Sequence, residues 1–262
     1  MTGTASIYIP NEGSSYFFKD NQYAKIKWSP SEDSSSLGFG PTKISEWATL
    51  NKLKFDRVDA ILPAKPHINR GLFFSASNYA DIEYVPSSGE EALIHHGSFQ
   101  EKWPALVKAN FYHVDAVFWV PGKTDEAYFF SGSQYCRIKF SYDGKVNKLV
   151  EGPTGIDRGF PRMQLSTGRI DTIVPRPDDS NKFYVFSGNK YHSYYINPDR
   201  PDEQEMWGLF TVAHGWGALV EAGFYKVGYM RISDNEMLIS PIRFIGMIGG
   251  PVGILAMGRP QN

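Results

Sequence analysis

Few residues in this chain are equipped for chemistry. Among 262 residues there are six histidines and one cysteine. Cys136 stands in the run YCRIKF, on the same side as Ile138 and Phe140. Alternation at period two predicts a strand with that side inward, and a thiol buried among apolar groups is inert rather than nucleophilic. His192 shares its side with Tyr194 and Ile196, where core packing outweighs metal ligation. No H-E-x-x-H, G-x-S-x-G or Walker loop occurs, nor a G-x-G-x-x-G opening a helix, so the common metal, acyl-transfer and phosphate chemistries have no carrier. The pairs Asp178-Asp179 and Glu90-Glu91 lie in polar surroundings, where solvated surface is the ordinary outcome. Trp28, Trp119 and Trp207 could stack on sugars or other flat ligands, in competition with packing into a core. The balance leans away from catalysis and toward recognition.

The elements that must position these residues follow from one interval. Phe18, Phe74, Phe130 and Phe186 lie 56 residues apart, as do Tyr23, Tyr79, Tyr135 and Tyr191, and Asp59, Asp115 and Asp171. Trp47 and Trp103 keep the interval, and Phe160 and Trp216 keep it after a slip of one residue. Each unit has a short apolar run, a polar loop, an aromatic strand, a tight turn such as Ser131-Gly132-Ser133-Gln134, and an alternating third strand. A segment centred on Trp or Phe closes it, and Ser98 with Glu101 has the spacing of a capping box, predicting a short helix before Trp103. A sheet of three or four strands cannot bury both faces alone, whereas four packed radially can; the repeat therefore predicts an all-β propeller. The aromatic fraction of 15% suits blade-on-blade packing.

The opening Asp59-Ala60 and Asp115-Ala116, the F-x-G-x-x-Y runs at Phe130 and Phe186, and the closing Trp103-Pro104 and Phe160-Pro161 resemble hemopexin repeats. The resemblance covers residues 4–228 and is nearest to single-domain members such as plant seed albumins. It implies a four-bladed β-propeller of hemopexin type, with short helical turns at the blade ends and a C-terminal apolar extension. The repeats run over about 4–57, 58–113, 114–169 and 170–226, followed by 229–262. Extracellular members staple the first and last blades with a disulfide; with Cys136 alone, closure must come from packing and strand pairing. The resemblance also implies an ion in the central channel, held by backbone carbonyls of Asp59 and Ile61, Asp115 and Val117, and Asp171 and Ile173. Blade one departs from this pattern, with Gly3 and Ala5 at the matching positions. Rings of oxygen suit calcium or sodium. The competing expectation is that the aspartates bond nearby backbone N–H groups and fix the blades. Other candidate ligands are a polyamine drawn to the channel-mouth acids, a glycan, and haem. Haem is disfavoured because hemopexin itself uses two propellers and histidines on a linker.

The expectation is thus a non-enzymatic protein holding an ion or small ligand at the central channel. One alternative is an enzyme of cyclase or isomerase type, with an apolar pocket beneath the C-terminal tail. Another is a storage or oligomer-forming protein. With 27 basic and 28 acidic residues, net charge −1, nothing favours nucleic acid or an anionic membrane as partner. One cysteine and no visible signal sequence point to the cytoplasm, with a vacuolar or seed-storage location as the alternative. In the tail, Phe244 to Met257 carries no charge but falls short of the ~20 residues of a membrane helix. It is expected to pack on the propeller or to pair two subunits as a homodimer, with a lid over a pocket as a further option. Val227 to Ile232 echoes a first strand and is expected to close the ring against blade one.

Overall fold

The computed structural model describes residues 4–31, 34–65, 69–86 and 89–225. They form four antiparallel sheets, each made of four consecutive strands in sequence order. Blade one holds β1 (Thr4–Ile9), β2 (Ser14–Lys19), β3 (Gln22–Trp28) and β4 (Ser35–Lys43). Blade two holds β5 (Ala60–Pro63), β6 (Arg70–Ser75), β7 (Asn78–Val85) and β8 (Glu90–Ser98). Blade three holds β9 (Ala116–Trp119), β10 (Glu126–Ser131), β11 (Gln134–Phe140) and β12 (Asn147–Gly155). Blade four holds β13 (Thr172–Pro175), β14 (Lys182–Ser187), β15 (Lys190–Tyr195) and β16 (Glu205–Thr211). The first strands neighbour one another in a closed circle, β1 beside β5, β5 beside β9, β9 beside β13 and β13 beside β1. This is the four-bladed propeller that the repeat predicts. The first strands begin one residue after their aspartates, at Ala60, Ala116 and Thr172.

Each sheet is pressed between two neighbours, so both of its faces are apolar. On β11, Cys136, Ile138 and Phe140 face the seam with blade two, while Tyr135 packs with Ile156 and Phe160 in the seam with blade four. The buried residues sort into four clusters, one per seam. Near the centre of each lies the blade-closing ring. Trp47 sits 5.5 Å from Phe73 and 5.6 Å from Tyr84 of blade two. Trp103 sits 5.4 Å from Phe129 and 5.1 Å from Phe140 of blade three. Phe160 lies 6.4 Å from Tyr194 of blade four. Trp216 lies 5.5 Å from Phe17 and 5.2 Å from Trp28 of blade one. The ring is therefore closed by the same contact that joins its interior blades. Phe224 and Tyr225 add to that last cluster, whereas the expectations for 227–262 lie outside the described residues.

A polar clamp accompanies the rings. Short helices α1 (Ala48–Lys52), α2 (Phe99–Lys102), α3 (Pro104–Lys108), α4 (Ile156–Gly159), α5 (Val212–Gly215) and α6 (Gly217–Glu221) end the blades. Helix α2 has the predicted capping box between Ser98 and Glu101. Helices α1, α3 and α6 begin after Trp47, Trp103 and Trp216, and indole cannot accept a bond from their free N–H groups. The following blade supplies the acceptor. Glu91 accepts from Ala48 and Thr49 at 3.1 and 2.9 Å, Asn147 from Ala105 at 3.0 Å, and Ser35 from Ala218 at 3.3 Å. At the seam between blades three and four, the Gln204 amide donates to the Gly159 carbonyl at 3.2 Å and its oxygen accepts from Tyr194 at 2.9 Å.

One core position changes character around the ring. Ala24, Ala80, Cys136 and His192 occupy the same place in successive blades, all fully buried. His192 is 1% exposed, its ring lies 6.0 Å from that of Tyr194, and Nε2 has no partner among the described residues. Burial lowers its pKa to about 4. Because the unfolded imidazole titrates near 6.5, the unfolded chain binds the proton more readily. Stability is then full above pH 6.5 and falls as pH drops toward 4, by about 3 kcal/mol for that shift. His192→Ala, which restores the residue of blades one and two, should flatten this acid limb in urea titrations between those pH values; an unchanged limb would assign it elsewhere. Trp216→Ala should lower unfolding free energy by about 3–5 kcal/mol in the same assay, as removal of a large core ring does; a loss below about 1 kcal/mol would mean that the ring is closed by something else.

Candidate functional site

The three aspartates of the repeat sit where the first strands enter the channel, and their carboxylates are engaged. Asp59 Oδ2 accepts from Ala76 N–H at 2.7 Å, Asp115 Oδ2 from Gly132 at 2.7 Å and Asp171 Oδ2 from Gly188 at 2.6 Å. The acceptor bonds hold turns whose backbone is left-handed, with φ of 50° at Ala76, 58° at Gly132 and 60° at Gly188. At Ala76, where a Cβ makes that conformation costly, the carboxylate compensates. Each aspartate also faces a base two residues earlier. Arg57 Nε is 2.9 Å from Asp59, His113 Nε2 3.4 Å from Asp115 and Arg169 Nε 3.4 Å from Asp171. Burial pushes the Asp115 carboxyl up, but bonds from His113 and the Gly132 N–H, together with the charges of His113 and Arg169, outweigh it and hold it below the ordinary carboxylate range. The expectation that these aspartates fix the blades describes their side chains.

Across the channel wall, Ser6 of β1 lies 3.0 Å from the Thr172 hydroxyl of β13 and donates to the Ile173 carbonyl at 3.3 Å. Ala5, Ile61, Val117 and Ile173 are buried on the innermost strands. Gly3 lies outside the described residues. No cluster of three or more His, Cys, Asp or Glu side chains suited to a metal occurs among the described residues.

A second arrangement emerges at the seams. On the face of each third strand, the repeat places Lys25, Asp81, Arg137 and Ser193 at matching positions, opposite Phe39, His95, Glu151 and Trp207. In three blades this position carries an ion pair. Lys25 pairs with Glu12, Asp81 with Arg70 in a two-pronged contact at 2.7 and 2.5 Å, and Arg137 with Glu126 and Glu151 at 3.4 and 3.6 Å. Blade four has only the small Ser193. The seam between blades four and one opens there into a cleft of about 210 Å³, with Trp28, Tyr184, Tyr191, Trp207, Phe210 and Trp216 among its walls. Trp207 and Phe210 are 43% and 44% exposed at the rim. Arg176 binds Asp178 through two bonds of 3.0 and 2.7 Å, lies 5.2 Å over the Tyr184 ring and reaches Ser193 Oγ at 3.4 Å. That bond holds the Asp178 carboxyl below its ordinary pKa. The cleft thus joins flat apolar walls to a guanidinium held in place by Asp178 and to serine hydroxyls.

Of the three tryptophans singled out by sequence, only Trp207 is exposed. Trp28 is buried and donates to Ser15 Oγ at 2.9 Å; Trp119 is buried and donates to the Pro63 carbonyl at 2.6 Å. Both indoles are packed in seams, Trp28 at the inner wall of the cleft between blades four and one. Cys136 and His192 are core residues, as their alternation indicates. Ser193 and Arg176 were missed. The signal for Ser193 was available as the one uncharged residue in the series Lys25, Asp81, Arg137 and Ser193.

The strand order, the four equivalent seams and the repeated aspartate motif define a hemopexin-type propeller. No family model matches the chain. It is similar to Albumin-2 of Pisum sativum, 24% identical over 208 residues, covering 78% of this chain and 88% of the pea protein. It superposes on a hemopexin-fold protein, CP4, from cow pea with a TM-score of 0.73 and 23% identity, over 85% of this chain and 98% of that one. A plant lectin with two metal binding sites from Cicer arietinum gives 0.74 and 22%, over 84% and 97%. The fold is therefore that of the hemopexin-fold plant seed albumins. Among the described residues no helix is long and apolar enough to cross a membrane.

Proposed function

We propose that this chain is a non-enzymatic, lectin-like binding protein that takes a saccharide in the cleft between blades four and one. The observation that carries this reading is the aromatic cleft of about 210 Å³ beside Ser193, with Trp207 and Phe210 exposed at its rim. Sugars present apolar C–H faces and hydroxyl edges. Exposed indole and phenyl rings suit the first, and Arg176 and Ser193 suit the second. The solved lectin of the same fold supports a carbohydrate over a flat cofactor such as haem. Similarity to seed albumins favours a seed-storage setting over the cytoplasmic expectation, and storage without a ligand is the reading that survives if no sugar binds. A glycan array followed by calorimetry tests it. Trp207→Ala should weaken the best ligand about tenfold, the worth of one good ring contact; unchanged affinity, or an array without a hit, would sink this reading.

The channel supports a second proposal, a calcium or sodium ion held by the carbonyls of Asp59, Ile61, Asp115, Val117, Asp171 and Ile173, with Ala5 from blade one. Three blades repeat one aspartate geometry, which sets their backbones in equivalent places around the circle. Such oxygens are hard donors that fit these ions, although the Ile173 carbonyl is shared with Ser6. Native mass spectrometry of protein purified without chelator should show a retained cation, released on treatment with chelator if it is calcium. A bare protein mass under gentle activation would count against it.

A further inference from the structure

The seam clefts differ most in the charge of their walls. Between blades one and two the walls include Glu46, Glu90 and Glu91, and between blades two and three Asp81, Glu101 and Asp143. Among the described residues, the cleft between blades four and one has no acid on its walls, and the one charged group there is the Arg176 guanidinium. Its other polar side chains are hydroxyl-bearing, with Ser29, Ser34 and Ser193 among them.

The repeat marks Arg176 as an exception. Tyr8, Ala64 and Val120 hold the matching place in the other blades, all uncharged. The backbone confirms the register. Ala64, Val120 and Arg176 donate their N–H to Arg70, Glu126 and Lys182, at 2.7, 3.0 and 3.0 Å. Blade four alone sets a cation where its first strand ends.

The guanidinium is held but not used up. It carries N–H donors on all three nitrogens. Asp178 takes the Nε donor and one on Nη2, at 3.0 and 2.7 Å. Ser193 Oγ takes one on Nη1 at 3.4 Å, a long bond that is readily exchanged. One donor on Nη1 and one on Nη2 remain, on the edge next to that occupied by Asp178. Paired N–H groups on one edge are the fork that a carboxylate fits. The Arg176 side chain is 17% exposed and lines the cleft, so a ligand can reach it. A second cation stands at the rim, with Lys182 Nζ 5.8 Å from the centre of the Trp207 ring. Asp178 and Asp179, which pair with these two bases, are not among the walls.

We infer that the saccharide taken by this cleft is a hexuronic acid, with its carboxylate on the Nη1–Nη2 edge of Arg176 and its pyranose ring against Trp207. The inference rests on the saccharide reading and names the class of sugar. A neutral hexose has a hydroxymethyl group where the uronic acid has a carboxylate. The hydroxyl accepts neutral-type bonds from the fork, whereas the carboxylate accepts two that are charge-assisted at both ends. No wall carboxylate opposes the anion here, while the acid-walled clefts would repel it.

The test is calorimetry of the full chain with two matched pairs, the methyl glycosides of glucuronic acid and glucose, and of galacturonic acid and galactose. The members of a pair differ only at C6. In the pair whose ring configuration fits, the acid should bind about tenfold more tightly than the neutral sugar. Salt at ~0.5 M should weaken the acid several-fold and leave the neutral sugar unchanged. The methyl ester of the acid, which removes the charge without touching the protein, should fall to the affinity of the neutral sugar. Arg176→Gln should erase the preference, and Arg176→Lys, which keeps the charge but not the fork, should retain about threefold of it. Equal binding of acid and neutral sugar, or a preference that survives esterification or Arg176→Gln, overturns the inference and leaves the saccharide reading standing. Array hits confined to glycans without a uronic acid overturn it in the same way. No binding by any of the four glycosides, together with an array without a hit, overturns both.

Discussion

At the end of every blade one ring, Trp47, Trp103, Phe160 or Trp216, lies between its own sheet and the next. An isolated four-stranded sheet of this composition would leave an apolar face in water. The wedge gives each face a partner, and its tilted and edge-on contacts at 5–6 Å are the geometry in which aromatic quadrupoles attract. The polar clamps depend on the same rings. The indole ends the chain's extended path and starts a helix it cannot cap, so the next blade must reach over with Glu91, Asn147 or Ser35. Apolar packing and hydrogen bonding thus act across the same seam.

What distinguishes one seam from another is the chemistry placed outside the wedge. Ion pairs fill that outer position at three seams, and such partly buried pairs serve orientation more than net stability. At the fourth, the small Ser193 stands beside an aromatic wall. Between blades one and two, where Gly71 stands in place of a serine, the Tyr84 hydroxyl has no hydrogen-bond partner among the described residues. In both places the departure is a side chain made smaller than its counterparts in the other blades. A repeated scaffold is free to vary such outer positions because the wedge and the clamp already hold the blades, whereas the same change at Phe73 or Phe129 would open the core.

The fold was legible because its determinants are periodic in residue type. Phe18, Tyr23, Trp47 and their counterparts announce both the unit and its number, and alternation in YCRIKF placed Cys136 inward. The short helix before Trp103 was legible from Ser98 and Glu101. The clamps were not, because Ser35, Glu91 and Asn147 share a position and a task but no type. The choice between stacking and packing at Trp28 and Trp119 went to packing, because period two separates the faces of a strand but does not show that both faces are covered. The cleft residues were visible only as exceptions. Ser193 among charged residues, or Gly71 opposite Ser15, becomes meaningful once the register of all four blades is fixed by the structure.

Among the described residues every sheet is composed of four strands that follow one another along the chain. The seam joining last blade to first is made of the same ring contact as the others. Where the polypeptide starts is therefore incidental to the architecture. The described ring has no latch, only four equivalent joints, and a circularly permuted chain opened between blades two and three would still contain four complete sheets and all four wedges.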